Sequence, residues 1–378
     1  MTFKELKLSS ALVSHLEKNQ FPKPTPIQEQ AIPSILAGKD VMGIAKTGSG
    51  KTLAYVLPLL DRLKNQPSEN REIQALVMVP TRELAVQVSE AIILFSKALK
   101  NPLITMAVYG GVSINPQMMN MNSVDVLVAT PGRLIELIEK NAVKIANTKI
   151  LVLDEADKML SMGFREEMNQ VFTRLPSKIQ TLLFSATLSP KVTEIIQHLT
   201  LDPVVINLPV PDEDLSLIKQ IGYRVIDEKK GVLLRQLIEE HNMQQVLIFC
   251  SSTYQVEHVN DKLNTNGITS KAIHGKKAQG TRQDHLNQFK DPESDVRCLV
   301  TTDLLSRGID IEFLPFVINY ELPRSPKDYI HRIGRTGRAE NPGTVISLVT
   351  PEESHHMRTI QKKTNMKVWM EDLEEWNS

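Results

Sequence analysis

Three short strings in this chain carry residue types able to do chemistry on a nucleotide. They are Ala45-Lys46-Thr47-Gly48-Ser49-Gly50-Lys51-Thr52, the acidic run Asp154-Glu155-Ala156-Asp157, and His331-Arg332-Ile333-Gly334-Arg335-Thr336-Gly337-Arg338. In the first, glycines allow backbone N–H groups to close around phosphate oxygens at a helix N-terminus, with Thr47, Gly48, Ser49 and Gly50 as the cradle. Lys51 adds a cation for the β- and γ-phosphates, and Thr52 offers a hydroxyl to magnesium. Ala45 stands where the GxxxxGKT pattern opens with glycine, a small change that the loop should tolerate. A glycine-rich turn without a ligand is the plainer reading, but a strand before and a helix after favour the phosphate one.

Ile150-Leu151-Val152-Leu153 reads as a buried strand that runs into Asp154 and Glu155, and ligands of open α/β sheets gather at such carboxyl ends. Asp154 is suited to hold magnesium, partly through water, and Glu155 to orient or deprotonate an attacking water. Adjacent acids at a helix start could instead be partners of the helix dipole. In the third string Gly334 and Gly337 interrupt any helix face, and the arginines recur at a spacing that lets them converge. A solvated charge run is the alternative; an arginine finger would contribute about 10³ to 10⁵ in rate. The third string lies far along the chain from the other two, so the spacing predicts a site completed by a second domain. Hydrolysis would then follow whatever closes the domains.

The elements that must position these residues are legible in outline. At 378 residues the chain is long for one hydrophobic core, which predicts two domains. Apolar runs alternate with amphipathic stretches, as parallel sheets with crossover helices require. Strands are expected near 40–45, 74–79, 103–108, 124–129, 148–153 and 180–184. A second set follows near 220–226, 245–250, 268–273, 296–301, 316–320 and 343–349. The stretch 81–98 predicts a helix with Leu84, Val88, Ile92 and Phe95 on its apolar face. Pro58 should kink or end the helix after the glycine-rich loop. The prolines and acids of Leu208-Pro209-Val210-Pro211-Asp212-Glu213-Asp214 read as an extended tether. The expected fold is therefore α/β, two doubly wound parallel-sheet domains over 1–207 and 220–378 joined by a linker at 208–219.

Composition narrows the function classes. The apolar share of 41% and charged share of 23% are those of an ordinary globular protein. Lys plus Arg and Asp plus Glu both number 44, so a nucleic-acid partner would be held by a localised groove and not by an overall field. Cys250 and Cys298 follow or interrupt β-branched runs and read as buried thiols, which excludes a disulfide framework or a cysteine zinc site. The N-terminus lacks the apolar core of a signal peptide, and no apolar run approaches a membrane span. The expectation is a cytoplasmic protein with no membrane partner.

These strings closely resemble those of the DEAD-box RNA helicase family, a branch of superfamily 2, and the resemblance spans almost the whole chain. It implies two tandem RecA-like domains, ATP and Mg2+ as cofactors, and RNA as partner. Pro24-Thr25-Pro26-Ile27-Gln28 looks like the family's adenine-sensing motif. Gln28 would read the base, Thr25 would support the phosphate loop, and Phe3 would be an aromatic lid. Pro80-Thr81-Arg82, Gly110-Gly111 and Thr130-Pro131-Gly132-Arg133 resemble the first domain's RNA-backbone contacts. Ser185-Ala186-Thr187 resembles the motif that couples hydrolysis to strand separation. In the second domain Gln279, Arg282 and Thr302 resemble RNA-facing positions and Asp303 an interdomain one. Asp310, in Arg307-Gly308-Ile309-Asp310, would meet the ribose. By the same likeness His331 would join the water network beside Glu155, and Arg335 and Arg338 would be the fingers.

The resemblance implies an ATP-dependent RNA helicase or remodeller that bends and separates short duplexes locally, with little sequence preference, and a monomeric core targeted by protein partners. Two rivals share much of the pattern: an ATP-regulated RNA clamp that serves as a platform, and a superfamily 2 motor on double-stranded DNA. The adenine-type motif and the DEAD spelling argue against the second. Two positions depart from the family pattern, Lys46 where glutamine is usual and Gln20 where glycine is frequent. Neither removes a catalytic group, so altered nucleotide affinity or RNA coupling is the expected consequence.

Overall fold

Strands buried on both faces are near-continuous apolar runs, and the inner strands of this chain are dominated by such residues. In the computed structural model, Ala75 and Val77 of one strand enter one core cluster while Leu76 and Met78 enter the opposite one. Ile150 and Val152 likewise oppose Leu151 and Leu153. The structure describes residues 1–46, 48–64, 72–200, 202–208, 218–303, 314–337 and 343–372, without the side chains of 191, 196–198 and 279. The chain divides into two compact units, Met1–Val210 and Pro211–Ser378.

In the first unit the strands are β1 Val41–Ile44, β2 Ala75–Met78, β3 Thr105–Val108, β4 Val126–Ala129, β5 Ile150–Asp154, β6 Gln180–Ser185 and β7 Val204–Asn207. They form one parallel sheet in the order β3-β4-β2-β5-β6-β1-β7. The second unit contains β8 Ile218–Arg224, β9 Val246–Cys250, β10 Ser270–Ile273, β11 Cys298–Thr302, β12 Phe316–Asn319, β13 Gly343–Val349 and β14 Trp369–Asp372. Their order, β10-β11-β9-β12-β13-β8-β14, repeats that of the first sheet strand for strand. The two units thus share one topology, although the sequence shows no repeat.

The helix Arg82–Ser96 buries Leu84, Val88, Ile92 and Phe95 as their spacing predicts. Three expectations need correction. The helix Lys51–Leu63 continues past Pro58 and does not end there. Tyr55, Val56, Leu57, Leu59 and Leu60 are all buried around it, and that packing outweighs the lost backbone hydrogen bond. The second sheet begins at Ile218, inside the stretch read as linker; residues 209–217 of that linker lie outside the described residues. Finally, each sheet gains an edge strand, β7 beside β1 and β14 beside β8. β7 is the short run Val204-Val205-Ile206-Asn207, in which only Ile206 is buried, and β14 ends in Glu371 and Asp372.

Cys250 and Cys298 are fully buried thiols. Burial raises both above the ordinary thiol range, Cys298 to about 12. Gln20 explains its own departure from the family pattern. It sits just past the helix Ser10–Lys18 with a left-handed φ of 62°. Its N–H donates to Glu17 O and that of Phe21 to Leu16 O, the paired bonds of a Schellman cap. Glycine meets this φ without strain, and the glutamine side chain is exposed. Gln20→Gly should therefore raise stability by about 0.5–1 kcal/mol, read from the midpoint of denaturant unfolding.

Candidate active site

Register brings the first two strings to one edge of the first sheet. Ile44 pairs with Ser185 and Asp154 with Phe184, so the segments that follow β1, β6 and β5 leave the sheet side by side. The glycine-rich loop follows β1. Ala45, in place of the first glycine, puts its methyl into the core cluster. Gly50 takes a φ of 91° at the start of the helix Lys51–Leu63, and a Cβ there would lie 2.5 Å from the Gln28 amide. Only glycine meets both demands. Thr47 lies outside the described residues.

Lys51 is buried and its ammonium donates to the Ala45 carbonyl at 2.7 Å. Burial lowers its pKa, against the pull of Asp154 and Glu155. Asp154 is buried at the end of β5, with Oδ2 accepting from the Tyr55 hydroxyl at 2.9 Å and Oδ1 from the Glu155 N–H at 2.9 Å. Glu155 holds a left-handed backbone, φ 53° and ψ 46°, at the start of the helix Ala156–Ser161. A non-glycine residue in that region stores strain, and such strain concentrates at functional sites. Its Oε1 pairs with Lys158 Nζ at 2.6 Å, while Oε2 is buried without a protein partner. Burial raises the pKa of both carboxyls, a direction that strengthens Glu155 as a base.

Ser49 Oγ is buried without a partner at the same loop. Orphaned polar atoms are uncommon inside proteins, and this one lies where a polyanion would sit. Hard oxygen donors from Thr52 and Asp154 fit Mg2+, which binds through a few protein oxygens together with substrate phosphates and water. Among the described residues no group of three or more His, Cys, Asp and Glu side chains forms a separate metal site.

The adenine-type segment abuts this loop. Gln28 Oε1 accepts from Thr25 N and its Nε2 donates to Gly50 O, both at 3.0 Å. One N–H and one lone pair of the amide remain for a base edge. Phe3, expected as an open aromatic lid, is instead a member of the first unit's core, only 4% exposed.

The other end of the same sheet edge carries the second group of expected residues. Pro80-Thr81-Arg82 follows β2, Gly110-Gly111 follows β3 and Thr130-Pro131-Gly132-Arg133 follows β4. Thr81 caps the helix Arg82–Ser96 by accepting from Leu84 N. Arg82 fills the space that a side chain at Gly111 (φ 76°) would need. Arg133 is buried, donating to Val112 O at 2.8 Å and to Glu136 Oε2 at 2.9 Å, so it positions the glycine loop. Sequence reading missed Gln117, whose amide clamps Tyr109 N and O at 3.2 Å on the other flank of that loop. It also missed Tyr55, whose one signal is its place one turn after Lys51, facing β5. After β6, between β5 and β1, Thr187 Oγ1 donates to Asp157 Oδ2 at 2.8 Å, and Ser185 Oγ donates to Thr187 O at 2.9 Å with Ala186 between them.

In the second unit the first arginine of the third string is a structural residue. Arg332 turns inward and is fully buried, donating to both oxygens of Asp303, to Asn319 Oδ1 at 3.0 Å and to Glu321 O at 2.7 Å. Its guanidinium lies 4.9 Å over the Phe249 ring. Asp303, expected at a domain interface, therefore holds a partner within its own unit. The helix Pro326–Ile333 ends before Arg335, and Gly334 and Gly337 (φ 67°) carry the chain away from the helix axis. His331 is half-buried and Arg335 buried, and both are engaged by neighbours. Thr302 closes β11, and Arg282 is buried in the helix Gln279–Lys290. Arg338, Asp310 and the 307–310 segment, and the side chain of Gln279, lie outside the described residues.

Comparison with known proteins follows this geometry. The description DEAD/DEAH box helicase matches residues 25–195 and helicase conserved C-terminal domain matches 229–340. The DEAD-box ATP-dependent RNA helicase CshA of Bacillus cereus is 36% identical over 97% of this chain and 69% of its own length. The ATP-dependent RNA helicase CshA of Limosilactobacillus reuteri is 38% identical over 97% of this chain and 73% of its own. The structure of S. cerevisiae Dbp5 bound to RNA and ADP BeF3 superposes with a TM-score of 0.83 at 28% identity, covering 100% of this chain and 97% of that one. A DEAD box protein from Methanococcus jannaschii gives a TM-score of 0.54 at 33% identity, covering 98% and 99%. Both units are RecA-like, and the chain belongs to the DEAD-box family of ATP-dependent RNA helicases.

Proposed function

We propose that this ATP-hydrolysing RNA helicase separates short RNA duplexes locally, or remodels RNA–protein complexes, by coupling hydrolysis to closure of its two units and release of RNA. The observation that carries this reading is the division of one sheet edge. The phosphate residues follow β1 and β5, while the residues expected to touch RNA follow β2, β3 and β4, in a sheet where β2 lies directly beside β5. The Asp157–Thr187 bond links the acidic string to the segment after β6. A change at the phosphates can reach the RNA loops through the adjoining strands β5 and β2.

In this reading Lys51 and the loop amides bind the ATP phosphates, and Glu155 takes a proton from the attacking water. Thr52 and Asp154 would hold Mg2+, which supplies charge neutralisation on the β- and γ-phosphates. RNA would be gripped through phosphates and 2′-hydroxyls, so affinity depends little on sequence. Arg335 and Arg338 would act as fingers in the closed state. The setting would be the cytoplasm; no helix among the described residues is long and apolar enough to cross a membrane.

The test is ATPase rate with no nucleic acid, with single-stranded RNA and with matched DNA, alongside an assay of short RNA duplex separation. RNA alone should stimulate strongly and duplexes should separate only with ATP. Equal stimulation by DNA would overturn the RNA assignment, and RNA stimulation without strand separation would mark an ATP-gated clamp instead.

A further inference from the structure

Tyr55 is a fully buried phenol one helical turn beyond Lys51, on the face of the helix Lys51–Leu63 that meets β5. Its ring packs 5.3 Å from that of Phe184 on β6, an arrangement that phenylalanine would satisfy equally. The hydroxyl is what needs explanation, because a buried hydroxyl is costly unless it is hydrogen-bonded. It donates to Asp154 Oδ2 at 2.9 Å. The backbone N–H of Glu155 holds the other Asp154 oxygen at 2.9 Å. One phenol on the helix after β1 thus holds a carboxylate at the end of β5.

We propose that Tyr55 is a positioning residue for magnesium and nucleotide, its hydroxyl fixing the orientation of the Asp154 carboxylate. This rests on the reading of Thr52 and Asp154 as the residues that hold Mg2+. With one bond on each oxygen the carboxylate cannot turn about its terminal torsion, yet each oxygen keeps a lone pair for a metal-bound water. Residues behind metal ligands orient them in this way, and their loss typically weakens metal binding by about 10- to 100-fold. A tyrosine that only filled the core would leave the metal response untouched when its oxygen is removed.

The experiment uses the full chain and Tyr55→Phe, which removes one oxygen and keeps the ring. Fluorescent N-methylanthraniloyl-ADP is titrated in EDTA and then across a Mg2+ series, and thermal unfolding is followed in EDTA. The expected result is an EDTA affinity equal to that of the unaltered protein, with the Mg2+ midpoint raised about tenfold. An unchanged Mg2+ midpoint overturns the proposal. So does loss of nucleotide binding in EDTA together with loss of the unfolding transition, since Tyr55 would then be building the core and not positioning a ligand. Asp154→Asn separates this from the underlying reading. If its Mg2+ series coincides with that of the unaltered protein, Asp154 is not a magnesium residue and the site reading fails first.

Discussion

Glu155→Gln should stop ATP turnover while leaving nucleotide bound. The loss expected for removing a general base is about 10² to 10⁴ in kcat. Glutamine keeps the length and shape of the side chain, and its amide oxygen can still accept from Lys158, whose ammonium now lies 2.6 Å from Glu155 Oε1. The orphaned Oε2 is the atom best placed to receive a proton, and the variant replaces that oxygen or its twin with a group that cannot. Binding should be unchanged or tighter, because one negative charge leaves a buried site that must accept phosphates beside Asp154. Lys51→Ala provides the contrast. It removes the buried cation itself, so turnover and nucleotide affinity should fall together. Steady-state ATPase and direct nucleotide titration separate the two patterns. Turnover by Glu155→Gln close to that of the unaltered protein would remove Glu155 from the role of base.

What the sequence disclosed was governed by whether a residue's role is local. The phosphate loop is a local object: strand, glycines and helix lie within a dozen positions, and the structure places Gly50, Lys51 and Thr52 as that order demands. Inner strands such as β5 were legible because burial on both faces leaves an unbroken apolar run. Edge strands were not, since β7 and β14 are short, pair on one side to β1 and β8, and bury only part of their side chains. Pro58 was misjudged because a propensity of single residues lost to the packing around it. Tyr55, Gln117 and Arg332 escaped for another reason. Tyr55 and Arg332 act on strands that follow other elements, Gln117 acts across a glycine loop, and nothing in the neighbouring letters marks a hydroxyl that will meet Asp154 or an amide that will clamp Tyr109.

Arg332 gives the second large effect, and its sign depends on that distinction. A solvent-facing finger can be removed without harm to the fold; Arg332 cannot. Its guanidinium ties the ends of β11 and β12 through Asp303, Asn319 and the Glu321 carbonyl, with Phe249 of β9 beneath it. Arg332→Met would keep the stem, remove the two bonds that Arg332 gives Asp303 and leave Asn319 short of a donor. Asp303 is 29% exposed, so the loss should be about 3 kcal/mol, the lower end for breaking a buried pair from one side. For a unit of this size that corresponds to a fall in Tm on the order of 10 °C. The loss should be confined to the second unit's unfolding, with nucleotide binding by the first unit retained. Pairing the change with Asp303→Asn removes both charges, so the double variant should be more stable than the sum of the two single losses predicts. Differential scanning calorimetry of the four proteins reads this coupling directly. Arg332→Met with an unshifted transition and lost turnover would instead make Arg332 a residue of the reaction and free Asp303 for a role between the units.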